Sequence, residues 1–225
     1  MCGRVTFSSS TETAKALGVK DSDTAREGDV NAFAFKGTYI FGLADKAPDT
    51  LRHFHWPLVP SWCTEYPAFN TINARSEDMA EKPAYKHLLG KRHCIIAING
   101  FYEWERTREK RPFYFSMANG KPMLLAGLWD YNTRLDEPIL SCTVITREPN
   151  QIIGEVHNRM PVILTPEQAS TWLDTQLPYL SRAEVLQPIE NSALLKVEIN
   201  KSVNKAANKS ADWFKGPGES KACLF

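Results

Sequence analysis

The stretch HCIIAINGFYEW, residues 93–104, decides the fold, because an apolar run that leads into an aromatic segment is typical of β-strands. The polar segment ERTREKR that follows it is interpreted as a solvated hairpin loop. Beyond the loop, PFYFSMA (112–118) predicts the returning strand, and two more strand-like segments follow at 122–131 and 139–147. This succession of strands predicts a sheet-rich protein.

The rest of the chain is predicted to consist of further strands and short helices. Strands are predicted at 4–8, 38–44, 50–56, 160–165 and 193–204. Helices are predicted at 10–19 (capped by Ser10 or Thr11), 76–89 (divided near Pro83), 149–158, 165–175 and 181–187, with a loop at 57–75.

Strands outnumber helices in this prediction, which favours a single α+β domain. We expect a β-rich curled mixed sheet or incomplete barrel with peripheral short helices. The domain is expected to span residues 1–210, and the polar segment at 211–225 is expected to be a loose tail.

The composition is that of an ordinary globular protein: 225 residues, 43% hydrophobic and 24% charged. A net charge of +1, from 27 basic and 26 acidic residues, excludes a histone-like polycation but permits a local arginine cluster that contacts a few phosphates. No segment resembles a membrane span or a signal peptide, so a cytoplasmic protein without a membrane partner is predicted. The five cysteines lack metal-ligand spacing, so neither a metal nor a cofactor is predicted, and Cys94 and Cys142 are interpreted as buried reduced thiols.

The sequence begins MCGRV, which places Cys2 directly after the initiator methionine. Methionine is normally removed before a small residue, and the cysteine then carries an α-amine beside its thiol. That amine has a pKa of roughly 7.7–8.0, against roughly 10.4 for lysine, so a useful fraction is neutral near pH 7. Such an amine forms an imine with an aldehyde, and the neighbouring thiol then closes a five-membered thiazolidine ring. The alternative is an ordinary chain terminus without a chemical role.

Two segments carry further candidate residues. FNTINARSED (69–78) places Asn73 and Arg75 two residues apart, so they share one face of an extended strand. NGFYEWER (99–106) holds Glu103 between two aromatic residues, where a partly desolvated carboxylate suits general acid–base catalysis. The alternative for Glu103 is an outward-facing side chain on an alternating strand.

Two other segments add a histidine and an exposed aromatic. EVHNRMPVIL (155–164) holds His157 and Arg159 before an apolar strand, and a histidine there suits proton transfer, the alternative being a turn histidine with a structural role. In WPLVPSW (56–62), Trp56 is predicted to be buried and Trp62 exposed. An exposed tryptophan in a stiff loop is a stacking surface for an unpaired base.

Taken together, six segments resemble the SOS response-associated peptidase family, whose members are also known as abasic-site processing proteins. They occur in the family's order and span nearly the whole chain. The matching segments are MCGR (1–4), WPLVPSW (56–62), INARSE (72–77), NGFYEW (99–104), VITREPNQIIGEVHNRMPVIL (144–164) and VNKAAN (203–208).

The resemblance implies that Cys2, exposed by removal of Met1, forms a covalent crosslink with the ring-opened aldehyde of an abasic site in single-stranded DNA. The product would be a thiazolidine that shields the lesion from strand cleavage. By match to the family's motifs, Asn73 would hold the cysteine and the sugar. Glu103 would transfer protons at the amine, and His157 would assist ring opening and reversal of the crosslink.

The resemblance also implies contacts with DNA. Arg4, Arg75 and Arg159 would bind the phosphates that flank the lesion, and Trp62 would stack on an adjacent base. The expected partners are single-stranded DNA with abasic sites and proteins of the replication fork. The protein is expected to act as a monomer, located in the cytoplasm and associated with the nucleoid when bound to DNA, and self-catalysed removal of Met1 would be a peptidase activity.

The chain departs from the family's pattern at four places, one of which is the long loop from Trp62 to Asn73. Residues 31–35 read NAFAF where the family carries N-x-A-P, so that Phe33 or Phe35 would have to replace the proline. Pro57 stands where the family usually has a glycine, and Cys63 where some relatives have a second aromatic residue. These departures concern the structure that the DNA adopts beside the lesion and leave the four catalytic positions unchanged.

Two other functional classes remain open. Class II glutamine amidotransferases also begin MCG, and there the thiolate attacks an amide carbonyl while the α-amine acts as base. In such an amidohydrolase Asn99 would imitate the asparagine of the oxyanion hole. The second alternative is a non-catalytic module that shields lesions in single-stranded DNA without bonding to them.

Overall fold

The structure is a computed structural model that describes residues 2–21, 26–34 and 38–204. The described part contains four short α-helices, α1 (Ser10–Leu17), α2 (Gln151–Gly154), α3 (Pro166–Leu173) and α4 (Tyr179–Ala183), and two 3-10 helices, Asn191–Ala193 and Lys201–Asn204. Its strands are β1 (Arg4–Phe7), β2 (Asp29–Phe33), β3 (Tyr39–Ala44), β4 (Ala47–His55), β5 (Asn73–Arg75), β6 (His93–Ile98), β7 (Gly100–Trp104), β8 (Pro112–Met117), β9 (Met123–Asn132), β10 (Ile139–Arg147), β11 (Met160–Pro161), β12 (Ile163–Leu164) and β13 (Leu194–Glu198).

The stretch at 93–104 forms two strands that belong to different sheets, not one continuous strand. All six residues of β6 are buried, since β6 lies between β3 and β9. The chain then changes sheets at Asn99, whose side-chain oxygen accepts a hydrogen bond from the Ser8 amide at 2.9 Å. Strand β7 continues from there between β1 and β8. The stretch therefore joins the two halves of the fold.

The smaller sheet has five antiparallel strands in the order β13-β8-β7-β1-β2. Gly100 of β7 lies opposite Thr6 of β1 and Ser116 of β8. A Cβ atom at Gly100 would come within 2.4 Å of the Phe115 carbonyl oxygen, so the pairing of β7 with β8 requires glycine at this position. This sheet carries the beginning of the chain beside Glu103.

The larger sheet has eight strands and curls on itself. Its path is β11-β10-β4-β3-β6-β9-β12, with β5 paired parallel to β10. Strand β10 also pairs antiparallel with β9, whereas it meets β4 only at the pair Ser141–His55. The sheet is not a closed barrel. The predicted single α+β domain, with an incompletely closed mixed sheet and short peripheral helices, is confirmed.

The core lies on the inner face of this curled sheet and under the helices that cover it. Trp56 is fully buried and its indole Nε1 donates to the Ile72 carbonyl at 3.0 Å, which confirms its predicted burial. Cys94 and Cys142 are also fully buried and have free thiols, as predicted. On the outside of the sheet, α3 places Trp172 against His93, with ring centroids 3.8 Å apart.

The predicted helix at 76–89 is wrong. This segment forms successive turns. Several of its backbone hydrogen bonds join residues three positions apart, such as Glu81 N to Asp78 O and Tyr85 N to Lys82 O. Pro83 has no N–H to continue a helical ladder, and this accounts for the interruption. Met79 and Leu88 of this segment both pack into the core.

Other boundaries differ locally. Helix α1 is capped by Ser9, not by Ser10 or Thr11, because Ser9 forms a capping box with Glu12. Strand β2 was not predicted, and β5 lies inside the predicted loop at 57–75. Three expectations fall outside the described residues: the loose tail at 211–225, Phe35 in place of the family's proline, and the removal of Met1. No helix within the described ranges is long and apolar enough to cross a membrane.

Candidate functional site

Cys2 lies immediately before β1 and is buried, with 1% of its surface exposed. Its carbonyl oxygen accepts a hydrogen bond from Asn73 Nδ2 at 3.0 Å. Asn73 opens β5, which the parallel pairing with β10 holds in place, and the Tyr85 hydroxyl donates to its backbone carbonyl at 3.2 Å. Its side-chain Oδ1 is buried and accepts no hydrogen bond from the described residues. Asn73 therefore holds the Cys2 backbone through Nδ2, and its Oδ1 remains available to accept a hydrogen bond.

Glu103 lies on β7, and the antiparallel register with β1 directs this end of the strand towards Cys2. The side chain is buried, with 4% exposed, so the alternative of an outward-facing glutamate is wrong. Burial raises the pKa of the Cys2 thiol, and the charge of Glu103 raises it further. The carboxylate is therefore close enough to Cys2 to influence its ionisation.

His157 follows α2 and is half-buried at the same site. Burial lowers the pKa of His157, and the charge of Glu103 partly offsets that effect. The ring is therefore neutral at pH 7. His157 Nδ1 lies 3.1 Å from the Arg159 amide nitrogen and 3.3 Å from the Arg159 carbonyl oxygen, so the backbone of Arg159 holds the ring in place. Cys2, Asn73, Glu103 and His157, far apart in the sequence, are thus brought together.

Arg4 is held by the protein itself. Its guanidinium lies 3.6 Å from the ring centroid of Phe33 and 4.7 Å from that of Trp104, and Nη1 donates to the Val203 carbonyl at 2.7 Å. Burial lowers the pKa of Arg4 to about 10, so the group remains charged at neutral pH. Arg4 fastens the 3-10 helix Lys201–Asn204 over β1 and β7, and its contact with phosphate stays a prediction.

Arg159 is also engaged by other residues. Its Nη1 and Nη2 donate to the two carboxylate oxygens of Glu77 at 2.9 and 2.8 Å, and Nη2 donates to the Thr146 carbonyl at 2.7 Å. Only 11% of the side chain is exposed. Arg75, on β5, is exposed and forms no ion pair with any described residue. Of the three predicted phosphate ligands, Arg75 is the one presented to solvent.

A groove of about 530 Å³ opens beside this cluster and shares Asn73 with it. On one side of it the rings of Trp62 and Phe69 stack, with centroids 6.1 Å apart and planes inclined by 17°. Both rings are exposed, by 43% and 47%, as predicted for Trp62. We call this pair the Trp62–Phe69 platform. The 82–85 segment also lines the groove.

Sequence reasoning did not find Phe69 or Glu77. Phe69 begins the segment FNTINARSED, and an aromatic residue in a polar loop next to Asn73 was the available signal. Glu77 had no such signal, because its partner Arg159 lies 82 residues away. Within the described ranges no group of three or more His, Cys, Asp or Glu side chains could hold a metal ion.

Comparisons with known proteins show the family to which the chain is similar. The family model described as "SOS response associated peptidase (SRAP)" matches residues 1–206. The chain is 33% identical over 177 residues to the abasic site processing protein YoqW of Bacillus subtilis, an alignment that covers 76% of this chain and 78% of that protein. It is 30% identical over 231 residues to the abasic site processing protein YoaM of the same bacterium, covering 94% and 96%.

The fold also has a solved counterpart. A protein from Bacteroides thetaiotaomicron superimposes with a TM-score of 0.80, covering 89% of this chain and 93% of that one. The two sequences are 22% identical, so this likeness concerns the fold alone.

Proposed function

Because the chain belongs to the SOS response associated peptidase family, we propose that it processes abasic sites, capturing them in single-stranded DNA through Cys2. The observation that carries the proposal is the meeting of Cys2, Asn73, Glu103 and His157 beside an aromatic groove. Its curated relatives YoqW and YoaM bear the name abasic site processing protein.

The reaction begins when removal of Met1 gives Cys2 a free α-amine. The amine adds to the aldehyde carbon of the ring-opened deoxyribose, and loss of one water gives an imine. The thiol sulfur then bonds to the same carbon, and its proton passes to the nitrogen, which closes a thiazolidine. The net change is the loss of one water, so no oxidant, reductant or metal is required.

Each residue of the cluster has a step to which its position is suited. Glu103 takes the proton from the amine as it attacks and returns one to the departing hydroxyl, since a buried carboxylate beside the cysteine is suitably placed for both transfers. His157, half-buried in the same cluster, assists opening of the sugar ring by proton transfer. Asn73 holds the Cys2 backbone with Nδ2 and offers Oδ1 to the sugar hydroxyl or to the amine.

The DNA strand is proposed to run through the groove, with a base on the Trp62–Phe69 platform and a phosphate on Arg75. Arg159 can bind a phosphate only if Glu77 gives up part of its ion pair with the Arg159 guanidinium. Arg4 can bind a phosphate only through the edge of its guanidinium that Phe33 and Trp104 do not cover. Because few phosphates are contacted, the affinity should fall only shallowly with salt concentration.

The proposal is tested with a single-stranded oligonucleotide that carries one abasic site, analysed on a denaturing gel. Mass spectrometry first establishes that Met1 is absent. The wild-type protein should give an adduct that survives heating without reduction, and Cys2→Ala should give none, because a terminal alanine lacks the thiol that closes the stable ring.

Cys2→Ser is the matched control, because it keeps the terminal amine and removes only the thiol. We expect this variant to give a stable adduct only after borohydride reduction of the imine. A heat-stable adduct from unreduced Cys2→Ser, or an intact Met1 on crosslinking protein, would contradict the mechanism. Binding without any covalent product would favour the non-catalytic module instead.

The amidohydrolase alternative receives no support from the position of Asn99. Its side chain accepts from the Ser8 amide at 2.9 Å and donates to Ser8 Oγ at 3.0 Å, so both ends of the amide are used where the chain changes sheets. Asn73, not Asn99, is the asparagine that contacts Cys2. Glutaminase activity without crosslinking would nevertheless restore that alternative.

A further inference from the structure

We propose that Asp130 and Asn132 are positioning residues that hold the Trp62–Phe69 platform ready for DNA. The inference rests on the proposed function, because it assumes that the platform binds a base. Asp130 and Asn132 are two residues apart near the end of β9, so they project from the same face of the strand. Both are fully buried, at 0% exposure. We call the two side chains the β9 clamp.

Asn132 holds the loop on both sides of Trp62. Its Nδ2 donates to the Pro60 carbonyl at 2.7 Å and to the Cys63 carbonyl at 2.9 Å. Its Oδ1 accepts from the Arg134 amide at 2.7 Å, which fixes the orientation of the side-chain amide. One buried side chain thus fastens the chain directly before and directly after the segment that carries the exposed indole.

Asp130 fastens the residue between those two points. Its Oδ2 accepts from the Ser61 amide at 2.7 Å, and Ser61 precedes Trp62. The same carboxylate pairs with Arg92 through Oδ1 and with His87 Nε2 at 3.2 Å through Oδ2. His87 and Arg92 follow the 82–85 segment, which also lines the groove. Asp130 therefore joins the loop before Trp62 and the segment after 82–85 to the same strand, β9.

Folding alone does not require this arrangement. Burying a carboxylate and an amide costs free energy that their hydrogen bonds only offset, and an apolar pair of similar size is often as stable. What the polar pair adds is a fixed loop geometry. The backbone around Trp62 is ordered before DNA arrives, so less conformational freedom is lost on binding. A large exposed ring on an immobile backbone is the expected form of a preorganised stacking surface.

The test is a double-mutant cycle with Trp62→Ala. Affinity is measured by fluorescence anisotropy for single-stranded DNA that carries a tetrahydrofuran abasic analogue, which has no aldehyde, and crosslinking is measured in single turnovers at saturating abasic-site DNA. Asn132→Asp keeps the shape of the side chain but sets an acceptor against two carbonyls. We expect it to weaken binding about tenfold and to change the saturated crosslinking rate less than about twofold.

In the Trp62→Ala background, Asn132→Asp should cost less than about twofold, because the platform on which it acts is gone. A full additional tenfold loss in that background would overturn the inference and leave the proposed function intact. No loss from Trp62→Ala alone would instead refute base stacking on the platform. Tyr131→Ser is the matched control, since this exposed residue lies between the two clamp residues and should leave binding unchanged.

A second measurement covers the case in which Asn132→Asp folds poorly. The wild-type protein and the Asp130→Asn variant are labelled with 5-fluorotryptophan and compared by fluorine NMR. The Trp62 signal is the one that is absent from the spectrum of the Trp62→Phe variant. We expect one sharp Trp62 resonance in the wild-type protein and a broadened or divided one in Asp130→Asn, with the signal of buried Trp56 unchanged. An unchanged Trp62 signal would show that the clamp does not position the ring.

Discussion

At the scale of the residue, Tyr102, the neighbour of Glu103, shows why a strand pattern alone misleads. An alternating strand would expose every second side chain, yet Phe101, Tyr102 and Glu103 are all buried. Phe101 belongs to the main core, whereas Tyr102 belongs to a separate cluster with Ile199 and Val203. The cover over that second face comes from a segment almost 100 residues further along, which no local pattern records.

Replacing Glu103 tests its role in proton transfer. Glu103→Gln should slow single-turnover crosslinking by at least about 100-fold and change DNA affinity less than about twofold. The pKa of His157 should fall further below its usual value, because the charge that raises it is removed. An NMR titration of the His157 ring measures that shift.

Glu105→Gln is the control for this experiment, because Glu105 lies two residues beyond Glu103 and pairs with Arg111 at the base of the hairpin. It should crosslink at the wild-type rate. A Glu103→Gln variant that crosslinks normally, or one that no longer binds DNA, would disprove the proton-transfer role.

At the scale of the element, the sequence predicts what is local and misses what is set by distant partners. The positions of β3, β8 and β9 follow from their apolar patterns. The division of 93–104 between two sheets does not, because the Ser8–Asn99 contact that accompanies it joins residues 91 positions apart. The three-residue strand β5 is equally invisible, since only its pairing with β10 makes it a strand.

The candidate site follows the same rule. Cys2, Glu103 and His157 could be proposed because each has a chemical signature in its own segment. The β9 clamp could not, because its importance arises from groups that the fold brings to it, and Phe69 had only the weak signal of an aromatic residue in a polar loop. The clamp residues occur in WDYN (129–132), a sequence that gives no local indication of a link to Trp62.

Gly100 begins β7, directly after the chain passes from the larger sheet to the smaller one. Gly100→Ala would place a methyl group 2.4 Å from the Phe115 carbonyl, so β7 must separate from β8. We expect a loss of about 1–3 kcal/mol in the free energy of unfolding, measured by urea denaturation, together with slower crosslinking because Glu103 moves.

Gly154→Ala is the control, because a Cβ there meets only Pro149 at 3.6 Å, an ordinary contact, inside α2. It should be neutral or slightly stabilising. Equal stability of the two alanine variants would show that β7 accommodates a Cβ beside the Phe115 carbonyl without a loss in the free energy of unfolding.

At the scale of the whole molecule, a buried polar network fastens the C-terminal helices to the larger sheet. Asp45 accepts from the His93 amide at 3.0 Å and from Trp129 Nε1 at 3.0 Å, and it pairs with the buried Arg182 at 3.3 Å. Arg182 and His93 both also contact the Trp172 carbonyl. The network joins parts of the chain that are 137 residues apart, so its loss affects the entire fold.

His93 makes this network sensitive to acid. Burial, with the charge of Arg182, lowers the pKa of His93 to about 3. As the pH falls below about 6.5, His93 becomes protonated in the unfolded chain but stays neutral in the folded protein. The free energy of unfolding therefore decreases as the pH falls from about 6.5 towards 3. This residue should contribute a slope of about 1.4 kcal/mol per pH unit to the free energy of unfolding.

Urea titrations between pH 7 and pH 4 measure that slope. His93→Gln keeps a donor and an acceptor but does not titrate, so it should be less stable at pH 7 and show a shallower dependence on pH. The same slope in both proteins would mean that other groups govern acid unfolding.

The burial of Cys2 has a consequence for the lifetime of the unused protein. A thiol whose pKa is raised by burial stays protonated at neutral pH, and it is the thiolate that peroxide and other electrophiles attack. The buried sulfur is thus less open to oxidation to sulfenic acid and to stray disulfides than an exposed thiolate. In the proposed reaction, which consumes the chain end once, the pocket that positions the reagent would therefore also preserve it.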